Sequence, residues 1–126
     1  MTSRAFLISG LIFIIFAVSL GAFGAHALKS MLTIQQIQIW KTATDYQFYH
    51  ALGLIALGVW TERTHRSRLT TIAGVLLISG VILFCGSLYL IALTGITKLG
   101  MVTPIGGVCF ISGWVFWLIA LLKNPD

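Results

Sequence analysis

The stretch TATDYQFYHALGLIALGVWT, Thr42–Thr61, decides how many times this chain crosses a membrane. The hydrocarbon core of a bilayer is about 30 Å thick and an α-helix rises 1.5 Å per residue, so a crossing takes about 20 mostly apolar residues. Thr42–Thr61 reaches that length only with Asp45 at its outer edge. Read as a span, it brings the number of crossings to four and puts both termini on one side. The other three segments reach the length without that condition. Ala5–Leu28 holds no charge, the third span lies within the charge-free run Leu69–Thr97, and Leu99–Leu122 is charge-free as well.

Composition agrees with a chain dissolved in lipid. Of 126 residues, 58% are hydrophobic and 9% charged, against about 25% charged in an ordinary soluble domain. The expectation is one all-α domain over residues 1–126, an integral membrane four-helix bundle with spans at about 5–28, 42–61, 70–94 and 103–122. A signal peptide ending near Ala25-His26-Ala27 is the competing reading of the first segment, but its apolar run is too long for one. Pro104 falls in the first turn of the last span, where a missing N–H costs nothing, with Thr103 as the expected cap. Gly95 suits the end of the third.

Before the second span, Thr33 and Gln36 have capping-box spacing, and Ile34, Ile37 and Trp40 follow at helical intervals. This is either a short amphipathic helix at the interface or an outward extension of the second span.

The formal charge of +5 does not point to nucleic acid, because the basic residues are scattered over separate connections. They act instead as an orientation signal. Arg4, Arg63, Arg66, Arg68 and Lys123 fall at one end; Lys29, Lys41 and Lys98 fall at the other. The first set is expected on the cytoplasmic side of the membrane, together with both termini. Arg63, Arg66 and Arg68 would there meet acidic lipid headgroups. Membrane lipids are the expected partners, with a homo-oligomer or a membrane-complex partner also open and nucleic acid not expected.

Helices in lipid associate through close packing, which small residues permit. Ala17, Gly21 and Ala25 stand four apart on the first helix. Gly80 and Gly86 on the third and Gly106, Gly107 and Gly113 on the fourth complete the expected packing set. Cys85 and Cys109 lie in apolar runs, where a thiol behaves as a small hydrophobe.

Ionisable and polar groups inside spans are costly and mark candidate sites. His26, Asp45, Tyr46, Gln47, Tyr49, His50, Ser87, Tyr89 and Thr103 are expected to gather within about two turns of the non-cytoplasmic boundary. Such a cluster fits an interhelical hydrogen-bond network, a pocket for a lipid, quinone or other small hydrophobic molecule, a proton path, or a haem held between His26 and His50. No His-Glu metal motif, nucleophile elbow, phosphate loop or pair of carboxylates accompanies it, so no enzyme and no cofactor are assigned.

Four motifs in order, Gly21-Ala22-Phe23-Gly24-Ala25-His26, Asp45-Tyr46-Gln47 with Tyr49-His50, Gly86-Ser87-Leu88-Tyr89, and Thr103-Pro104-Ile105-Gly106-Gly107 with Gly113-Trp114, carry a resemblance over nearly the whole chain. The sequence resembles the YgdD-like family of small bacterial inner-membrane proteins, that of domain of unknown function 423, which is similar to animal transmembrane protein 256. The resemblance implies a four-helix membrane protein and brings no activity or cofactor. It marks His26, Asp45, Tyr46, Gln47 and His50, with some relatives carrying Glu or another polar residue at the Asp45 position.

Overall fold

The computed structural model of the protein describes residues 1–124, and these form helices and turns without a strand. The long helices are α1 (Ser3–His26), α2 (Ile34–Arg63), α3 (Arg68–Gly80), α4 (Gly86–Thr94) and α5 (Thr103–Lys123). A π-helical turn, Val81–Cys85, joins α3 to α4, so that Arg68–Thr94 forms one rod of 27 residues. The result is an all-α membrane fold of four long helical bodies.

Three bodies, Ser3–His26, Arg68–Thr94 and Thr97–Lys123, are long and apolar enough to cross a membrane on composition alone. α2 differs because Asp45, Gln47 and His50 interrupt its apolar run. It compensates by position. α2 carries more buried residues than any other helix, and its polar side chains at Thr44, Gln47, His50 and Thr61 are turned into the protein. In a bilayer that placement replaces the missing water with protein partners.

The segment Ile34–Lys41 is an extension of the helix that follows it, not a separate helix. α2 starts at Ile34 and runs unbroken to Arg63. Its start is fixed by the capping box expected from the spacing: the Gln36 amide donates to Thr33 Oγ1 at 3.2 Å, and the Thr33 amide donates to Gln36 Oε1 at 2.9 Å. A second box, between Ser67 and Thr70, opens α3. Gly95 closes α4 in the left-handed region, with φ of 72°, a conformation that only glycine adopts without strain.

Thr103 is not the cap of α5. It is the first helical residue, behind a Val102 that makes no side-chain cap, and its hydroxyl pairs with the Ser87 hydroxyl of α4. Pro104 does occupy the first turn.

Glycines set the distances between bodies. α1 and α2 run antiparallel, with Gly10 beside Ala51 and Ile55, Gly58 beside Leu7, and Gly24 beside the Trp40 indole. α5 runs antiparallel to the third rod: Gly113 meets Leu77 and Ala73, Phe110 lies over Gly80, and Gly106 meets the backbone of Phe84. Phe6 reaches from α1 across to Gly74 of α3 and is fully buried with Leu54, Leu57 and Leu77.

Of the packing residues expected from sequence, Ala17, Gly80, Gly106 and Gly113 are buried. Gly21, Ala25, Gly86 and Gly107 are a correction. A Cβ at Gly21 or Gly86 would meet nothing within 4 Å, one at Gly107 would touch only Phe84 at 3.9 Å, and Ala25 is exposed. Regular spacing of small residues puts them on one helix face, but it does not say which face meets protein. Gly10, Gly24, Gly53, Gly58 and Gly74 make the unanticipated contacts. Cys85 is buried and Cys109 half-buried, both as free thiols.

The N-terminus, the turn between α2 and α3 and the end of α5 lie at one end of the bundle. Arg66 approaches the Met1 carbonyl at 3.5 Å, and Asn124 borders the same surface hollow as Glu62 and His65. The 28–33 and 95–102 connections occupy the other end.

Candidate functional site

Gln47 is the centre of the polar core. Its side chain leaves α2 at the level of Phe13, near the middle of α1, and both of its ends are engaged. Nε2 donates to the Phe13 carbonyl at 2.9 Å, while Oε1 accepts from the Tyr89 hydroxyl at 2.7 Å. One amide therefore ties α1, α2 and α4 together. The fit follows from chemistry: a primary amide offers a donor and an acceptor at opposite corners, and the Phe13 carbonyl has a second lone pair beyond its helical bond.

One turn along α2, the His50 ring is buried and lies face to face with Phe110 of α5, at 3.5 Å between centroids and 12° between planes. Its Nδ1 is 2.7 Å from the Tyr46 carbonyl. A carbonyl only accepts, so Nδ1 carries the proton and Nε2 the lone pair. Trp114 and Tyr46 flank the same stack.

On the other side of the rod, the Ser87 hydroxyl donates to the Phe84 carbonyl at 2.9 Å and pairs with Thr103. Trp40, in the outward extension of α2, donates from Nε1 to the Leu20 carbonyl at 2.8 Å and packs edge-on to Tyr89 at 4.8 Å.

Nine candidate residues thus divide into unlike groups. Gln47 and Tyr89 bond directly, Tyr46 and His50 share an aromatic stack, and Ser87 pairs with Thr103. Asp45 points outward to Lys41, with Nζ to carboxylate at 2.7 Å. That carboxylate raises the Lys41 ammonium above its ordinary pKa, through the hydrogen bond first and the charge second. Tyr49 is 56% exposed, and His26 is exposed at the end of α1.

The depth of the cluster is a second correction. With α2 starting at Ile34, Asp45 already lies three turns along it, and Gln47 and His50 fall near the level of the middle of α1. His26 does not join them. Gly24 stands beside Trp40, whereas Gly10 stands beside Ala51, so the two imidazoles are separated along the bundle by roughly 20 Å at 1.5 Å per residue. That separation rules out one haem iron between them. Among the described residues, no group of three His, Cys, Asp or Glu side chains is placed to hold a metal ion.

Sequence reading missed Phe13, Trp40, Phe110 and Trp114 as parts of this core. For Phe13 and the Leu20 carbonyl no signal existed, because a backbone acceptor has no residue type. Trp40 carried one: an indole on the amphipathic extension of α2 needs a partner for its N–H when buried.

Every side-chain nitrogen and oxygen atom buried among the described residues has a hydrogen-bond partner. The surface hollows, at the α1–α2 face, around the arginine-rich end and beside Trp114 and Trp117, are not lined by Gln47, His50 or Tyr89.

Comparison with known proteins agrees with this architecture. Residues 20–107 match the family model described as "Protein of unknown function (DUF423)". The chain is 41% identical to the UPF0382 membrane protein YwdK of Bacillus subtilis, over 95% of this chain and 98% of that one. It is 47% identical to the UPF0382 membrane protein SERP0230 of Staphylococcus epidermidis (95% and 97% covered) and 44% to SSP2132 of Staphylococcus saprophyticus (95% and 98%). No solved structure matches. With more than half of its length inside the family model and full-length relatives above two-fifths identity, the chain belongs to the DUF423 family of membrane proteins.

Proposed function

We propose that this protein is a non-enzymatic structural or accessory component of the bacterial inner membrane, crossing it four times with α2 as the central span and with both termini cytoplasmic. The carrying observation is the closed polar core. Gln47 spends its donor and its acceptor on α1 and α4, and His50 is committed to the Tyr46 carbonyl and the Phe110 face. Groups arranged in this way hold helices in register. The acids and bases that catalysis requires must instead reach a substrate.

Replacing His26 by alanine and His50 by phenylalanine together tests this reading. The double variant is expected to purify as a folded protein of unchanged oligomeric state, with the same featureless visible spectrum as the parent. A small molecule other than a phospholipid that native mass spectrometry finds on the parent and not on the variant would overturn it.

The cytoplasmic assignment of the arginine-rich end rests on five basic residues against three. A cysteine introduced at Arg66 is expected to resist a membrane-impermeant thiol reagent in intact cells and to react after permeabilisation. Labelling from outside would reverse the orientation. Membrane lipids at Arg63, Arg66 and Arg68, and a membrane-complex partner or second copy along the bundle, complete the proposed set of contacts.

A further inference from the structure

The structure contains an open apolar groove between the outward ends of α1 and α2. Its floor is made by Gly21, Gly24 and Ala25 on one side and Ile37 and Trp40 on the other, with Lys41 and Asp45 at the rim, and it encloses about 330 Å³. A second hollow of about 470 Å³ shares Gly24, Ala25 and Ile37 with it and extends the surface to Lys29. Together they form one continuous furrow, of a size used for small ligands. It stays open because the α1 side lacks bulk: a Cβ at Gly21 would meet nothing within 4 Å, and Ala25 is exposed.

Two physical arguments select the occupant. The furrow is lined mostly by apolar groups, and where a bilayer covers it water does not enter, so an acyl chain is the material at hand to fill it. Lys29 stands at its outer end, with Lys41 about level with Gly24 and Asp45 one turn further in along the α2 edge, and together they leave one net positive charge. A phosphodiester carries one negative charge. Glu62, the other acid among the described residues, lies at the opposite end of α2.

We propose that this furrow is a binding site for a monoanionic phospholipid of the phosphatidylglycerol kind, one acyl chain lying over Gly21 and Ala25 and the phosphate held between Lys29 and Lys41. Asp45 holds Lys41 in place through the 2.7 Å ion pair and repels headgroups of higher negative charge.

The test uses the full-length protein in mixed micelles of phosphatidylglycerol and phosphatidylcholine, with retained lipid read by native mass spectrometry. The parent is expected to retain phosphatidylglycerol preferentially. Gly21→Leu, whose Cβ meets nothing within 4 Å, extends its side chain into the furrow, and Ala25→Leu does the same from an exposed position. Each is expected to lose most of the retained lipid at unchanged melting temperature. Lys29→Gln and Lys41→Gln are each expected to reduce the preference for phosphatidylglycerol about fivefold, the factor set by one basic residue near a membrane surface.

Equal retention of both lipids by the parent would overturn the proposal, as would undiminished phosphatidylglycerol on both leucine variants. A parent dimer that either leucine variant dissociates would assign the furrow to a second copy of the chain instead.

Discussion

Alanine at Gly106 is expected to destabilise the bundle by about 1–3 kcal/mol or more, the cost of overpacking a site that cannot relax. The added methyl would fall 2.3 Å from the Phe84 amide nitrogen and 2.7 Å from its Cα. These are backbone atoms, so no rotamer change relieves the contact, and α5 must move off the third rod. That movement would also loosen Phe110 from Gly80 and from His50. Gly86→Ala is the matched control. Its Cβ has open space, and removing a helical glycine contributes roughly 0.5–1 kcal/mol of stability. Unfolding in detergent, followed by circular dichroism, should separate the two in opposite directions. Equal stability of both variants would show that the α5 crossing is not set by Gly106.

Tyr89→Phe is expected to cost about 1–2 kcal/mol, because it leaves Gln47 Oε1 buried without its donor. Gln47→Leu should cost a similar amount by removing the bond to Phe13 as well as that to Tyr89. The informative quantity is the double variant. Once Gln47 is gone, the tyrosine hydroxyl has lost its acceptor, so the second substitution should add less than it does alone, with a coupling of about 0.6 kcal/mol or more. Strict additivity would mean that the two side chains do not act as a unit.

The fold was legible because a bilayer imposes length and polarity on any helix that crosses it. Charge-free runs, the Thr33–Gln36 spacing, Pro104 and Gly95 each marked a boundary that the structure places within a few residues. α2 was harder for a physical reason. Asp45, Gln47 and His50 lower its apolar character, and the partners that α1, α4 and α5 supply to Gln47 and His50, with the Lys41 ion pair of Asp45, explain why they are tolerated.

The site was legible as residue types and illegible as geometry. Sequence order puts His26 and His50 on either side of the same connection, but α2 begins at Ile34, so His50 lies more than four turns down the helix while His26 stays at the end of α1. Small residues told a similar half-truth. Gly21 and Ala25 share a face with the buried Ala17, yet that face opens into a furrow at its outer end, while the closest helix contacts fall to isolated glycines such as Gly10 and Gly74. Neither depth nor the identity of a facing neighbour is written in the spacing of one helix.

The tryptophans give the molecule two separate optical reporters. Trp60, Trp114 and Trp117 form a chain of rings, with centroids 6.3 Å and 5.7 Å apart, near enough to exchange excitation among themselves. Trp40 stands alone at the far end against Tyr89. Emission from one indole therefore follows events beside Lys41, while the coupled trio follows the half of the bundle nearer the arginines, so comparing the parent with a Trp40→Phe variant distinguishes fraying at one end from fraying at the other.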